Sequence, residues 1–559
     1  MSRKTVTPHP KILASVMLAA FAIVPAARAQ AVQPARIQWT TCEEAVADAL
    51  RPLLSVRLQC GTMDAPIDHL HPDAGNTKVG LVRVLAEDQG AVAGSFFFNF
   101  GGPGGNPRSI LPVIAAMWSK QEADDPISGY QKTLSRHYDL VAVVPRGLAG
   151  GDTLDCFEHY EATPFIDLAS DQGDFNWRST MENAKALAYA CASNPLTPYI
   201  NTEQHVYDME LARLSLGESA LNFIGFSYGT WVASWYASLF PDHVGRMLLD
   251  STMDVTGSFD DADEASLAER HRDFLRLAVR PALSRPRLYG MGDEEEGVLR
   301  RVRNMPPRAR TAWVGRMGNP EALTAALTMS DWVAAVPFTT SRELHKRVND
   351  HTFSTDATID RDVRAAAHQL ASALGDARED TPEGPDPERY SVLLAVRCND
   401  TPWERSPGYW WAMARSRVQR YPAGASNEMF GALVCSHWDD RRTRRPSLEP
   451  MHTAPPFLMI QAQHDTATPL PSAIHVFNTF GNANLVVASH MTGHAILGST
   501  RTPCVEQAAG RYLLHGELPE RRFVSCEHVP VATPRADGPV NPLSVDGLRA
   551  TLETLLRDS

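Results

Sequence analysis

LNFIGFSYGT, residues 221–230, is an apolar run followed by a serine that stands between two glycines, Gly225 and Gly229. The apolar run predicts a strand that is buried on both faces of a sheet. The G-x-S-x-G pattern is typical of a sharp strand-to-helix turn that exposes a serine hydroxyl. An ordinary turn that happens to contain serine would look the same, so the motif is informative only if Ser227 has partners elsewhere in the chain.

Further short apolar runs, most of them bounded by Gly or Pro, predict the other strands, and helical patterns lie between them. The predicted strands are 79–86, 94–100, 138–145, 220–225, 246–250, 455–462 and 484–488, and the predicted helices include 208–216, 230–238 and 545–556. Strands that alternate with helices predict an α/β fold with a mainly parallel sheet.

The 559-residue chain is too long for one simple core. Its sequence pattern changes at about residue 256 and again at about residue 450. Residues 256–450 carry acidic runs, many arginines, helical patterns and few strand signals. We therefore expect a helical lid at 256–450, inserted between two parts of one α/β core at 30–255 and 451–526. Residues 527–559 form a tail with no assigned role.

The N-terminus has the features of a secretory signal peptide over residues 1–29. Basic residues precede an apolar stretch at 12–24, and Ala27-Arg-Ala29 is a small-x-small cleavage site. The apolar stretch is shorter than the ~20 residues that a membrane-spanning helix needs. We expect export to the periplasm or the medium, with cleavage near Ala29 and no stable membrane association.

Eight cysteines, an even number, agree with an oxidising compartment. Eight cysteines allow 105 pairings, which the sequence does not distinguish. Pairing of sequential neighbours would close four local loops, Cys42–Cys60, Cys156–Cys191, Cys398–Cys435 and Cys504–Cys526.

The formal net charge of -12 argues against a nucleic-acid partner, which requires clustered Lys and Arg. The chain has no C-x-x-C and no clustered Cys/His pattern, so no metal site is predicted. No cofactor is predicted either, and the oligomeric state stays open.

Partners for Ser227 occur in the order that such a sheet requires, serine, acid, histidine. Asp465 follows the strand predicted at 455–462, and His494 follows Gly493 in the loop after the strand at 484–488. Each residue alone has an ordinary explanation as a turn residue or a solvated side chain. Together, each past a strand end, they predict a Ser227–His494–Asp465 catalytic triad.

A triad of this kind needs N–H donors for the oxyanion. The residue after the nucleophile, Tyr228, supplies one by its position. The second is expected from the glycine-rich loop FNFGGPGG at 98–105, where Gly102 is the predicted donor and Gly101 its alternative. A phosphate-binding loop is the other explanation, but the segment lacks G-K-[ST].

These motifs resemble the secreted tripeptidyl-aminopeptidase-like branch of the α/β-hydrolases, which is related to proline iminopeptidase. The matching blocks are GGPGG at 101–105, YDLVAVVPRG at 138–147, LGESALNFIGFSYGT at 216–230, FPDHVGRMLLD at 240–250, QAQHDTATP at 461–469, GH at 493–494 and the segment from 512 to Cys526. The resemblance implies an α/β-hydrolase core with a helical lid and an aminopeptidase that acts on short peptides or amino-acyl amides. Some members act as carboxylesterases.

The chain departs from the family pattern at three positions. Phe100 stands where proline is frequent, Val144 where aspartate is frequent, and Ser251 where glycine is frequent.

An aminopeptidase also needs an acidic group that binds the ammonium group of the substrate. The candidates are the run 293–296 and Asp400.

Three functions are therefore compared. The first is an exported serine aminopeptidase that releases amino acids or short peptides. The second is a carboxylesterase with the same triad, and the third is a non-catalytic binding protein that kept the fold. The triad does not distinguish the first two, because amide and ester substrates share the acyl-enzyme step.

Overall fold

The computed structural model describes residues 33–379, 386–424, 428–438, 443–499, 502–528 and 541–558, and ten strands among them form one sheet. The strands are β1 (Gln38–Thr40), β2 (Leu58–Pro66), β3 (Asn76–Val84), β4 (Ser95–Asn99), β5 (Asp139–Val143), β6 (Leu221–Phe226), β7 (Val244–Asp250), β8 (Phe457–His464), β9 (Ala483–Thr492) and β10 (Phe523–Glu527). Their spatial order is β1-β2-β3-β5-β4-β6-β7-β8-β9-β10. The first three pairs are antiparallel. The other six are parallel, which confirms the predicted fold class.

The central strands are buried because helices cover both faces of the sheet. Along β4, Phe97 belongs to one hydrophobic cluster, whereas Phe96 and Phe98 belong to the cluster on the opposite face. On β6, Phe223 and Ile224 divide between the two clusters in the same way. Continuous apolar runs are what a strand covered on both faces requires.

The helices fall into three groups along the chain. The first group lies between β1 and β7 in the chain and comprises α1 (Ala45–Leu54), α2 (Pro107–Ser119), α3 (Gly129–His137), α4 (Asp174–Ala192), α5 (Thr202–Ser215) and α6 (Tyr228–Leu239). Between β7 and β8 lie α7 (Phe259–Phe274), α8 (Arg280–Leu283), α9 (Pro286–Tyr289), α10 (Glu295–Arg303), α11 (Pro307–Trp313), α12 (Pro320–Ala335), α13 (Ser341–Asp350), α14 (Ala357–Glu379), α15 (Pro387–Asp400), α16 (Pro407–Arg420) and α17 (Glu428–Ser436). The last three are α18 (Leu470–Thr479), α19 (Pro503–His515) and α20 (Val545–Asp558).

The segment between β7 and β8 contains no strand among its described residues. Its helices pack in two ways. Buried side chains from Phe274 to Leu374 form a hydrophobic cluster of their own. Those of 392–438, apart from Val418, instead join the cluster on one face of the sheet. The predicted lid is thus continuous in sequence, but its second part shares the core of the α/β layer.

The predicted strands and the terminal helix are all present, with bounds that differ by a few residues. The edge strands β1 and β10 and the strand β2 next to β1 have no counterpart in the sequence interpretation, and β9 continues to Thr492. The proposed signal peptide at 1–29 lies outside the described residues. Among the described helices, none is long and apolar enough to cross a bilayer.

The four sequential cysteine pairs form disulfides, which confirms that pairing among the 105 possibilities. The bridges join Cys42 to Cys60, Cys156 to Cys191, Cys398 to Cys435 and Cys504 to Cys526. All eight cysteines are thereby used. Four disulfides fit an exported protein, because such bonds persist in oxidising compartments.

A buried ion pair holds α5 against the segment that follows β5. Arg146 donates to both carboxylate oxygens of Asp208, at 2.7 and 2.9 Å, and to the carbonyl of Ile67 at 2.6 Å. His69 lies 2.7 Å from the same carboxylate. Burial alone would raise the pKa of Asp208, but Arg146 and His69 lower it to about 2. The pair therefore stabilises the fold above the ordinary pKa of 3.8 and stops doing so as the pH falls to about 2.

Replacing Asp208 tests this pair. Asp208→Asn keeps the size of the side chain but leaves Arg146 buried without a counter-ion, so we expect a loss of about 3–5 kcal/mol in the free energy of unfolding. Urea unfolding at neutral pH measures it. The exposed pair of Asp48 and Arg51 gives the control, and Asp48→Asn should cost less than about 1 kcal/mol. Equal losses in both variants would contradict the prediction.

Candidate active site

Ser227 occupies the turn between β6 and α6 in a backbone conformation that serine rarely adopts, with φ 54° and ψ -120°. Glycine is needed on both sides of the turn. A Cβ atom on Gly225 would lie 2.6 Å from the carbonyl oxygen of Gly229, and one on Gly229 would lie 2.5 Å from that of Asn99. The two glycines of the motif therefore allow the tight crossing that holds the serine at the end of β6.

The glycine-rich loop after β4 lies directly against this turn. A Cβ atom on Gly101 would come within 2.8 Å of the carbonyl oxygen of Phe226 and 3.0 Å of Ser227 Cβ. The N–H of Gly101 is used, because it donates to Asn99 Oδ1 at 3.1 Å. Among the described residues, no acceptor takes the N–H of Gly102 or of Tyr228. This geometry favours Gly102 over Gly101 as an oxyanion donor.

Asp465 follows β8 and is fully buried. Its Oδ1 accepts from the backbone N–H groups of Ala467 and Thr468, each at 2.9 Å. Its Oδ2 accepts from the Thr468 hydroxyl at 2.9 Å and from Gln461 Nε2 at 3.2 Å. These contacts fix the carboxylate in one orientation. Thr468 and Gln461 lie in the motif of 461–469, but sequence reasoning did not assign them a role.

His494 lies beside Asp465, as the sequence predicts for the pair. Its Nδ1 is 2.9 and 3.0 Å from the two carboxylate oxygens, and its side chain is 24% exposed. Burial alone would lower the pKa of His494, but the charge and hydrogen bond of Asp465 raise it. Burial would raise the pKa of Asp465, and His494 lowers it. In the neutral imidazole Nδ1 therefore carries the proton and donates it to the carboxylate in a hydrogen bond, and Nε2 is unprotonated.

One residue connects the serine turn with the histidine loop. Asp250, the last residue of β7, accepts from the Ser227 N–H through its backbone carbonyl at 2.9 Å. Its Oδ2 accepts from the N–H of Leu497, three residues after His494, at 2.7 Å. Burial raises the pKa of Asp250 to about 6. Sequence reasoning missed Asp250, because its contacts with the Ser227 N–H and the Leu497 N–H join segments that are far apart in the sequence.

Two family models match the chain. One, for the alpha/beta hydrolase fold, matches residues 101–325, and the other, for TAP-like proteins, matches residues 421–526. Together with the parallel sheet and the turn at Ser227, these matches decide the fold. The chain has the α/β-hydrolase fold.

Three relatives span most of this α/β-hydrolase. It is 26% identical to a tripeptidyl aminopeptidase of Streptomyces coelicolor, with 86% of this chain and 84% of the relative covered. It is 25% identical to carboxylesterase B of Mycobacterium tuberculosis, with 86% and 88% covered. It is 22% identical to the serine protease Hip1 of the same organism, with 86% and 89% covered.

The acidic candidates for a substrate ammonium in this α/β-hydrolase differ in their availability. Asp400 is buried, and its oxygens accept from the Thr202 N–H at 2.9 Å, the Thr202 hydroxyl at 2.5 Å and Trp231 Nε1 at 3.2 Å. Its carboxylate is thus engaged in joining α15 to α5 and α6. In the run 293–296, Glu295 and Glu296 pair with arginines. Asp400, Glu295 and Glu296 therefore already have partners, and Asp293 and Glu294 of the same run are exposed.

Glu203, which sequence reasoning missed, is a better candidate. It is half-buried at the start of α5 and follows Thr202, whose hydroxyl lies 2.5 Å from that of Tyr228. Among the described residues, no cation lies within ion-pair distance of its carboxylate. Burial raises the pKa of Glu203 to about 7; a hydrogen bond with Thr443 opposes this rise, and the charges of Asp68 and Asp400 add to it.

Beyond the disulfide cysteines beside Glu44, one described group has the composition of a metal site. Glu269 and Asp273 on α7 face His464, whose Nδ1 lies 3.9 and 4.0 Å from their oxygens. Both carboxylates already pair with arginines, Glu269 with Arg272 and Asp273 with Arg276. We therefore interpret the group as an ion-pair network next to Asp465 rather than as a metal site.

The pairing of His494 with Asp465 predicts a titration. We expect the pKa of His494 to lie above its ordinary value of 6.5. In Asp465→Asn only the charge of Asp250 still opposes burial, so the pKa of His494 should fall relative to the wild type. NMR titration of the imidazole measures both. Asp73→Asn, at an exposed position, is the control and should leave the titration unchanged. Identical midpoints in the wild type and Asp465→Asn would contradict the pairing.

Proposed function

We propose that this α/β-hydrolase is an exported serine aminopeptidase that releases amino acids or short peptides from peptide N-termini. One observation carries the proposal. The turn of Ser227 and the loop of His494 are both hydrogen-bonded to Asp250, while His494 pairs with the buried carboxylate of Asp465. A nucleophile, a base and an orienting acid at neighbouring strand ends are the parts that acyl transfer requires.

The proposed reaction follows from these roles. His494 Nε2 takes the proton of Ser227 Oγ as the oxygen attacks the scissile carbonyl carbon. The N–H groups of Gly102 and Tyr228 donate to the oxyanion that forms, and loss of one such donor typically costs ~2.7–4 kcal/mol. His494 then protonates the leaving amine, the C–N bond breaks, and an acyl-enzyme remains on Ser227. Water, deprotonated by His494, hydrolyses the ester and restores the serine. Asp465 holds the Nδ1 proton throughout.

Peptide substrates are favoured over esters by two observations. The relatives include a tripeptidyl aminopeptidase and a serine protease, each matched over most of its length. In addition, the half-buried Glu203 has no cationic partner among the described residues, and a substrate ammonium would supply one. We propose that Glu203 binds the free N-terminus.

A carboxylesterase is the second candidate, supported by the relative named carboxylesterase B. Its triad would be the same, so only the substrate distinguishes it. A site for esters needs no ammonium partner, and Glu203 would then have no role in binding.

The four disulfides support export, for which the periplasm or the medium is the proposed destination.

Covalent labelling tests the nucleophile. A fluorophosphonate probe should label the wild-type protein on Ser227, and Ser227→Ala should take no label. Hydrolysis should fall by about 10⁶-fold in that variant, because removal of the nucleophile disables the whole triad. Ser193→Ala, at an exposed helix end, is the control and should label like the wild type. A folded wild-type protein without label would favour the binding-protein alternative.

Glu203→Gln tests the substrate class. With aminoacyl, dipeptidyl and tripeptidyl amides the variant should show a KM raised about tenfold or more, because a charge-assisted contact of ~1.5–3 kcal/mol is lost. N-blocked amides and short-chain esters should be poor substrates for both proteins. For the wild type, KM should also rise as the pH falls below about 7, where Glu203 becomes protonated.

Glu294→Gln, at an exposed position of the run 293–296, is the matched control and should leave KM unchanged. Equal turnover of free and N-blocked substrates by the wild type would instead support the esterase. An unchanged KM in Glu203→Gln would contradict the role of Glu203 without touching the triad.

A further inference from the structure

Ser251 follows β7 directly, is fully buried and has φ 59°, a left-handed conformation that favours glycine. A serine there is strained relative to glycine, and such strain persists only where the surrounding structure holds it. Glycine, the least strained residue at this φ, would lack a hydroxyl. The hydroxyl and its contacts are therefore what distinguishes serine from glycine at this position.

The Ser251 hydroxyl stands between Asp250 and the histidine loop. It donates to Asp250 Oδ1 at 3.0 Å and accepts from the N–H of Ala495 at 2.8 Å. Ala495 is the residue after His494 and is itself left-handed, with φ 57°. Because Asp250 is an acceptor from the hydroxyl, the lone pairs of the Ser251 oxygen are directed to the Ala495 amide.

Two further side chains hold the same loop, but farther along it. Asp250 Oδ2 accepts from the Leu497 N–H at 2.7 Å, and Glu506 Oε1 accepts from the Gly498 N–H at 2.8 Å. Of these three acceptors, the Ser251 hydroxyl binds the amide nearest to His494 in the chain. Asp250 also holds the Ser227 N–H through its carbonyl at 2.9 Å. Residues 250–251 therefore contact the nucleophile turn on one side and the base loop on the other.

We propose that Ser251 is a positioning residue that, through the Ala495 amide, sets the orientation of His494 toward Ser227. This inference rests on the proposed triad, because a positioning role has meaning only if His494 is the base. The hydroxyl does not touch the reacting atoms. Its effect is on the rate at which His494 activates Ser227, since a small misplacement of a catalytic group costs up to about 10²-fold in rate.

The competing explanation is that the hydroxyl only satisfies a buried N–H, which contributes to stability and nothing else. The two explanations differ in what Ser251→Gly does. Glycine relieves the left-handed strain and removes the hydroxyl. A structural role predicts altered unfolding with an unchanged reaction, whereas a positioning role predicts a slower reaction in a protein that folds normally.

The experiment compares the fluorophosphonate labelling rate of the full-length wild-type protein and Ser251→Gly across pH. We expect the maximal rate of the variant to be at least fivefold lower. The charges that act on His494 are those of Asp465 and Asp250. Because Asp465 raises the pKa of His494, a displaced imidazole should also show a lower midpoint in the pH–rate profile. A fall of less than fivefold would overturn the proposal.

Ser55→Gly is the matched control. Ser55 is also left-handed, with φ 52°, but it is exposed and lies at the end of α1. Its replacement relieves the same kind of strain and should leave the labelling rate and the pH midpoint unchanged. A comparable fall in both variants would overturn the specific role of Ser251.

Amide hydrogen exchange separates this inference from the proposed function. In Ser251→Gly the Ala495 amide loses its acceptor, so its exchange should be at least tenfold faster, while amides of β8 should be unchanged. Unchanged exchange at Ala495 would overturn the proposal whatever the labelling shows. A wild-type protein that takes no label would contradict the triad itself, and exchange would still decide whether Ser251 holds the loop.

Discussion

The candidate site depends on how closely two backbone segments approach each other at the end of β6. The Cα of Gly229 lies against the carbonyl of Asn99, and that of Gly101 lies against the carbonyl of Phe226, with no room for a side chain at either point. This contact forces Ser227 into its left-handed turn and brings the glycine-rich loop alongside it. The positions of the proposed nucleophile and the proposed oxyanion donors thus follow from one steric constraint, and neither could move without the other.

On the other side of the site, buried carboxylates accept the hydrogen bonds of backbone N–H groups, as carbonyl groups of neighbouring strands do within the sheet. Asp465, Asp250 and Glu506 each accept backbone N–H groups from loops that follow strands. Buried N–H groups in irregular segments require such partners. Burial has a cost, which is visible where it raises the pKa of Asp250 to about 6 and that of Glu506 to about 7. The gain is a histidine loop that is held at several points.

The central strands and the order of Ser227, Asp465 and His494 could be predicted because local patterns mark them: apolar runs bounded by glycine or proline, with reactive residues just past their ends. The edge strands β1 and β10 escaped prediction because their partly exposed residues lack that pattern, and β2 escaped it because polar residues alternate with its buried ones. Asp400 illustrates a different limit. Its residue type suited an ammonium ligand, but its hydrogen bonds to Thr202 and Trp231 come from distant segments that no local pattern reveals. The same holds for Asp250.

The four disulfides have a consequence for how the two halves of the chain stay together. Two bridges lie before residue 192 and two after residue 397, so no covalent cross-link spans the helical segment between β7 and β8. A single backbone cut between residues 251 and 397 would leave two separate polypeptides, one with Ser227 and the other with Asp465 and His494. They would be held by the parallel ladder of β7 with β8 and the packing around it. The hydrolase would then be a non-covalent heterodimer whose active site is shared between its chains.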